Sequence, residues 1–461
     1  LLKKECAVRL KTLHLTNSWH ETSGGIATFY RALMDAANRR GHSIRLVVPG
    51  EDDRVEETGE FGRIYHVKAP RARFNSQYRM IYPRQFLPAG SSLQRILAAE
   101  RPDLVEICDK YTLNYLGALL RRGLLRTLDF RPIVVGLSCE RMDDNFRTYV
   151  GRIPFARRFC AAYMRWIYFP FFDHHIANSA YTAEELRAAS QGQMVPRNIW
   201  IRPMGIDLRH LSPARRSREA RRQLQQKCGG SDESVFLLYA GRLAPEKNLP
   251  LLFDLVMRLA KHAGRDYRLV VAGDGMERRR WEEFCQKHVP GRASFLGHIK
   301  KSDELADLTA NADVFVHPNP HEPFGIAPLE AMASGLPLVA PDSGGVTSYA
   351  TPENSWLARP DERSFASAVE AVLENEAERN RRVHNALQTA EQYRWETVAA
   401  LFLDLYGELH GAAMTQSEML PLPAFRSTPA EGLGLTWSRG VSRSAEKIFS
   451  LASTVFLRSR S

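Results

Sequence analysis

The chain has 461 residues, 44% hydrophobic and 10% aromatic, which fits about two to three globular domains and excludes a fibrous or wholly disordered chain. Its formal charge of +11 favours an anionic partner: nucleic acid, a phosphorylated ligand or an anionic lipid surface. Cys6, Cys108, Cys139, Cys160, Cys228 and Cys285 are scattered, without zinc-like or disulfide-like spacing, so a reducing compartment is expected.

In chain order, VRLKTLHLT (8–16), IRLVVP (44–49), PDLVEI (102–107), PIVVGLS (132–138) and HHIANS (174–179) read as strands. ATFYRALMDAANRRGH (27–42) lies between the first two and has apolar residues at helical spacing, closing on basic residues and Gly41, a helix stop. In YTAEEL (181–186), Thr182 and Glu185 stand three apart and predict a capping box. Strands alternating with helices predict a parallel sheet covered on both faces.

The texture changes at residues 212–234, a polar, charged, Gly-broken stretch read as a linker with one exposed helix. The alternation then restarts, with strands at 235–241, 267–275, 312–318 and 336–341 and a helix at 248–264. The expected organisation is an α/β protein with a first domain over 1–211 and a second over 235–392. A helix over 393–411 returns toward the first domain, and a tail follows over 412–461 with an amphipathic stretch at 443–460. The opening LLKKECAVRLKTLHL is too charged for a signal peptide. The most apolar window, 160–172, is too short to span a bilayer and contains Arg165 and Pro170. A cytoplasmic protein is expected, peripheral at the inner face of the membrane.

The chemistry concentrates in the second domain, because ligands of open parallel sheets sit at the carboxyl ends of the strands. AGRLAPEKN (240–248) supplies Arg242 and Lys247, suited to straddle a pyrophosphate, or simply a solvated charged loop. AGDG supplies Gly273, Asp274 and Gly275, where small residues admit a close backbone approach or serve an ordinary tight turn. In HEPFGIAPLEAMASG (321–335), Pro323 and Gly325 break the chain around Glu322. A helix then starts near Ile326 or Ala327, with its amides available to a phosphate and Glu330 in its first turns. Glu330 there suits a pair of hydroxyls, and Glu322 a second polyol; the plainer role for both is to cap and solvate a helix start.

AGRLAPEKN, AGDG, FLGHI (295–299) and the run from His317 to Gly345 together resemble the donor-binding half of family-four retaining glycosyltransferases. That family has the GT-B fold of two facing Rossmann-like, doubly wound domains with a cleft between them. The resemblance covers roughly residues 8 to 410, and two glutamates with seven residues between them are its signature. It implies a nucleotide-diphosphate sugar as a substrate, no cofactor, no metal, and retained anomeric configuration. Carried over, Arg242 and Lys247 hold the diphosphate, Glu322 the sugar hydroxyls and Glu330 the ribose. The amides of Phe324, Gly325 and Ile326 line the sugar–phosphate junction, and His298 and Ile299 border the base. Donors fixed in advance around a leaving diphosphate are what such a transition state requires.

In the first domain, Gly24 and Gly25 form a loop between a strand and a helix, expected to approach the donor phosphate or the acceptor. Segments 105–117 and 135–146 resemble the bacterial GDP-mannose-dependent α-mannosyltransferases of the phosphatidylinositol mannoside type. They place Asp109, Ser138, Glu140 and Arg141 on the acceptor side. Cys139 stands where that group carries a histidine, which removes one expected contact. Residues 146–172 hold five arginines, ten aromatics and no acid, a composition suited to an anionic membrane surface, to packing, or to nucleic acid. The expected activity is hexose transfer, mannose from GDP-mannose, to a lipid-linked or glycan acceptor, with an anionic membrane surface as a further partner and no nucleic acid. The alternatives are a UDP-glucose-dependent glucosyltransferase, a nucleotide-sugar epimerase on the same fold, and a non-catalytic polyanion-binding protein.

Overall fold

The computed structural model describes residues 10–19, 25–72, 75–149, 156–191, 199–261 and 264–419. The stretch 443–460 considered above lies outside it. The chain divides into two compact units: residues 1–178, 182–202 and 398–461 form one, and residues 179–181 and 203–397 the other.

The first unit is built on β1 (Lys11–Thr16), β2 (Ser43–Gly50), β3 (Arg54–Glu57), β4 (Gly62–Lys68), β7 (Leu104–Cys108), β8 (Ile133–Ser138), β9 (His174–Ala177) and β10 (Ile199–Ile201). They form one sheet in the order β10-β9-β8-β7-β1-β2-β4-β3, and β5 (Arg71–Ala72) and β6 (Asn75–Arg79) form a separate pair. All neighbours in the large sheet pair in parallel except β3, which returns antiparallel along β4. The four residues of β3 are all exposed, so the edge carries no apolar signal, and the sequence reading has no strand there. Leu13, Leu15, Val105, Ile107 and Val134 are fully buried, as strands covered on both faces require.

A buried polar knot crosses this unit. Glu106 Oε1 lies 3.0 Å from His14 Nδ1 and accepts from the Tyr30 hydroxyl at 3.1 Å, and the Tyr406 hydroxyl donates to Oε2. Tyr406 belongs to the helix Trp395–Met419, which runs well past the expected end at residue 411.

The second unit holds β11 (Ser234–Ala240), β12 (Asp266–Ala272), β13 (Ala293–Gly297), β14 (Val314–Val316), β15 (Leu338–Pro341) and β16 (Trp356–Ala358), in the order β13-β12-β11-β14-β15-β16. All pair in parallel. The segment read as a linker belongs to this unit, which takes in the chain from Pro203 onward. Its helix Arg218–Cys228 starts on a Ser217 N-cap and ends at Gly229 in the left-handed region. Arg221 reaches Asp313 at 2.9 Å and the Asn311 carbonyl at 2.7 Å. Polar contacts fasten the segment, so polar composition conceals that it is packed.

The expected capping box is corrected. The helix Ala180–Ser190 places Thr182 and Glu185 inside it. Thr182 donates to Asn178 Oδ1 at 2.9 Å, while Glu185 Oε1 accepts from the Met142 amide at 2.7 Å. Glu185 thus caps a different helix, Met142–Tyr149.

Candidate active site

In the second unit the strand order reverses between β11 and β14. The chain moves from β11 outward to β12 and β13, then crosses back to β14 and moves the other way. Loops after β11 and β14 therefore border one crevice at the sheet's carboxyl edge, the usual ligand position in such sheets.

The loop after β11 contains a turn of helix, Pro245–Lys247, ended by Asn248 at φ 52°. The Asn248 amide donates to the Pro318 carbonyl at 2.8 Å, fastening this loop to the one after β14. Lys247 Nζ then meets both Glu322 oxygens at 2.9 Å. Asn319 Nδ2 donates to Glu322 Oε2 at 2.9 Å, and His317 Nε2 lies 3.9 Å from the same oxygen. Burial pushes the Glu322 carboxyl upward, but Lys247, His317 and Asn319 outweigh it and hold it down at about 2. Arg242 stands apart: its guanidinium is 58% exposed and pairs with Glu246 at 3.0 Å.

The neighbouring loops pack on these two. The Gly345 amide donates to the Glu322 carbonyl at 2.7 Å, and a Cβ at Gly345 would lie 1.9 Å from the Pro323 carbonyl oxygen. Only glycine permits that approach. Gly273 is similar, since a Cβ there would meet the Gly241 carbonyl oxygen at 1.9 Å; the space it leaves is taken by the chain's own backbone. Asp274 accepts from the Gly275 amide at 2.8 Å and from Arg278 at 3.2 Å. His298 is exposed and Ile299 half-buried, just beyond β13.

The helix Ile326–Ala333 begins where the sequence predicts, with Gly325 as N-cap at φ 90°. Phe324 is buried against Tyr349 and Tyr393, at ring distances of 5.3 and 6.0 Å, which aims its side chain inward. Glu330 is half-buried one turn into the helix. Burial, with Asp207 adding to it, raises its carboxyl to about 7.

In the first unit the order reverses between β1 and β7. Gly25 opens the helix Gly25–Arg40, and Gly24 lies outside the described residues. Asp109 Oδ1 accepts from the amides of Tyr111, Thr112 and Leu113 at 3.0, 2.6 and 2.8 Å, and Oδ2 accepts from Asn17 at 3.1 Å. Ser138 is fully buried and donates to the Glu140 carbonyl at 3.3 Å. Glu140 accepts from Asn145 at 2.9 Å, and burial raises its carboxyl against the pull of Lys110. Arg141 forks onto Asp143 at 3.0 and 2.8 Å. The Cys139 thiol is hydrogen-bonded to Cys108, which with burial raises it well above its usual value.

The structure thus unites Lys247 with Glu322 and leaves Arg242 with Glu246. It adds His317 and Asn319, which the sequence reading passed over. Their only signal was position, directly after a strand in a Pro-broken loop. It also adds Lys110, buried in the first unit, with Nζ 2.5 Å from Glu185 Oε2.

A model of Glycosyltransferase Family 4 matches residues 23–210, and a model of the Glycosyl transferases group 1 matches residues 220–389. A GDP-mannose-dependent alpha-mannosyltransferase of Mycobacterium tuberculosis is 30% identical over 421 residues, 89% of this chain and 100% of the relative. A GDP-mannose-dependent alpha-(1-6)-phosphatidylinositol dimannoside mannosyltransferase of the same species is 28% identical, over 87% of this chain and 97% of the relative. Among solved structures, a sucrose-phosphate synthase from Thermosynechococcus elongatus superposes with TM-score 0.68 at 22% identity, covering 87% of this chain and all of the other. WaaG, a glycosyltransferase involved in lipopolysaccharide biosynthesis, superposes at 0.59 with 15% identity, over 86% of this chain and 99% of the other. Two Rossmann-like units with this strand order have the GT-B fold, and the family matches make the chain a glycosyltransferase, an enzyme that transfers a sugar from a nucleotide sugar. The chain belongs to glycosyltransferase family four.

Proposed function

We propose that the protein transfers mannose from GDP-mannose to a mannosylated phosphatidylinositol or a related glycolipid, retaining the anomeric configuration and using no metal ion or cofactor. The observation that carries this reading is the match to mannosyltransferases along 97% and 100% of their own lengths, which spans both units.

In this reading Lys247 and Arg242 take the diphosphate and neutralise the charge that builds on it as the glycosidic bond breaks. The amides of Phe324, Gly325 and Ile326, at a helix start, add to that field. Glu322 takes the sugar hydroxyls, Glu330 the ribose, and the loops around Gly273–Gly275 and His298–Ile299 border the rest of the nucleotide. Asp109, Ser138, Glu140 and Arg141 shape the acceptor side. A departing phosphate oxygen receives the acceptor proton on the same face, so no protein nucleophile is needed.

The enzyme works at an anionic membrane surface from the cytoplasmic side. Among the described residues no helix is long and apolar enough to cross a membrane. Trp166, 66% exposed, and Phe159, 42% exposed, share one stretch of chain with the exposed Arg157 and Arg158, a combination suited to the interface of anionic lipids.

The test is thermal-shift and calorimetric binding of GDP, UDP, ADP, GDP-mannose and UDP-glucose at two salt concentrations. Saturable stabilisation by GDP and GDP-mannose alone is expected. Preference for UDP-glucose would replace the donor, and equal, salt-sensitive binding of all five would reduce the site to a basic groove.

A further inference from the structure

Glu322 is a nearly buried carboxylate whose strongest partner, Lys247, is also the residue assigned to the donor diphosphate. Both demands fall on one ammonium group, and the second unit has to resolve them. When Lys247 turns to phosphate, Glu322 keeps only the neutral Asn319 amide. A carboxylate 12% exposed with its cation removed is strongly disfavoured, as one half of a broken buried pair is.

One polar atom stands ready. His317 Nε2 is buried, has no hydrogen-bond partner, and lies 3.9 Å from Glu322 Oε2. A shift of about 1 Å would bring it into bonding range. The ring is held in place by the Asn319 backbone, which favours its protonated form. The charged groups facing it are Lys247, from the loop after β11, and Glu322, from its own loop. Tyr239 of β11 adds a phenol that burial and Glu322 hold neutral.

We propose that His317 is a positioning residue that takes over the Glu322 carboxylate, as an imidazolium, when Lys247 leaves it for the donor diphosphate. The inference rests on the proposed donor site. Burial lowers the resting ring to about 4, with Lys247 also opposing charge and Glu322 favouring it. Departure of Lys247 removes the opposing cation and leaves the carboxylate, so one proton from solvent replaces one ammonium. Charge balances, and Glu322 keeps both its ionisation and its aim at the sugar.

The experiment is calorimetry of GDP-mannose binding at pH 6 in two buffers of unlike ionisation enthalpy, with transfer rates alongside. GDP-mannose is the probe because its diphosphate is a diester with no group titrating near neutrality. Wild type is expected to take up protons on binding. His317→Leu is expected to lose that uptake and to transfer about tenfold more slowly or worse, while binding GDP-mannose within about threefold. His317→Gln, whose amide nitrogen can donate to Glu322, is expected to recover part of the rate and none of the uptake. Any proton released from Glu330 is common to wild type and variants and cancels in the comparison. Equal uptake in wild type and His317→Leu would overturn the inference, as would an unchanged rate in that variant. Unchanged GDP-mannose affinity in Lys247→Ala would instead remove the donor reading beneath it.

Discussion

Each unit has one place where its strand order reverses, and the two places use charge in opposite ways. In the first, Asp109 is spent on three backbone amides and Lys110 is sealed against Glu185. In the second, Lys247 and Glu322 face each other at the mouth of the loops, with His317 Nε2 beside them and without a hydrogen-bond partner. The first arrangement fixes backbone shape. The second holds charges that are able to change partners. Position on the fold therefore does not by itself distinguish a scaffold from a reactive edge; unfilled bonding capacity does.

The comparison is broken most severely by removing a sealed charge. Lys110→Met strands a buried carboxylate, and a stability loss of about 3–5 kcal/mol is expected in denaturant melts. Lys247→Ala is expected to cut sugar transfer by about 10²–10³, as loss of one preorganised donor does, and to lower the melt less than Lys110→Met, because Asn319 and His317 stay beside Glu322. Should Lys247→Ala unfold the chain while Lys110→Met leaves it intact, the contrast between the two edges would be reversed.

Two pH effects sharpen it. Glu322 is held below its unfolded value, so its contribution to stability is complete above about pH 4.5 and is lost as pH falls toward 2. Acid melts of Glu322→Gln should lack that part of the decline. Glu330 is raised to about 7, so its carboxyl favours the fold below about pH 4.5 and loses that advantage as pH climbs through 7. Glu330→Gln should therefore gain thermal stability over wild type between pH 5 and 8. In wild type, nucleotide affinity should tighten over the same range as the ribose acceptor ionises. The smallest effect is at the surface. Trp166→Ser with Arg157→Ser is expected to weaken cosedimentation with anionic phosphatidylserine vesicles severalfold, at about 1 kcal/mol per basic residue, and to leave soluble nucleotide binding unchanged.

Sequence reasoning reached Lys247, Glu322 and the helix start at Ile326 because each is signalled locally, by a proline, a glycine and a strand end within a few residues. It missed what depends on distant partners. Glu185 looked like a cap for its own helix, yet its carboxylate serves amides 43 and 42 residues away, at Met142 and Asp143. The run 212–234 looked like a tether because its contacts are polar, and β3 was silent because none of its residues is buried. His317 carried no pattern; only its orphaned nitrogen marks it.

The knot at Glu106 has a consequence for synthesis. The second unit is a nearly unbroken stretch of chain, but the first recruits Tyr406, 300 residues beyond the glutamate it hydrogen-bonds. At about 5–20 residues per second, a ribosome needs roughly 15–60 s to deliver that hydroxyl after Glu106 emerges. For that interval a carboxylate destined for the centre of the first unit waits one donor short. The portion translated first is thus the portion completed last, and the later-made unit is able to finish folding ahead of it.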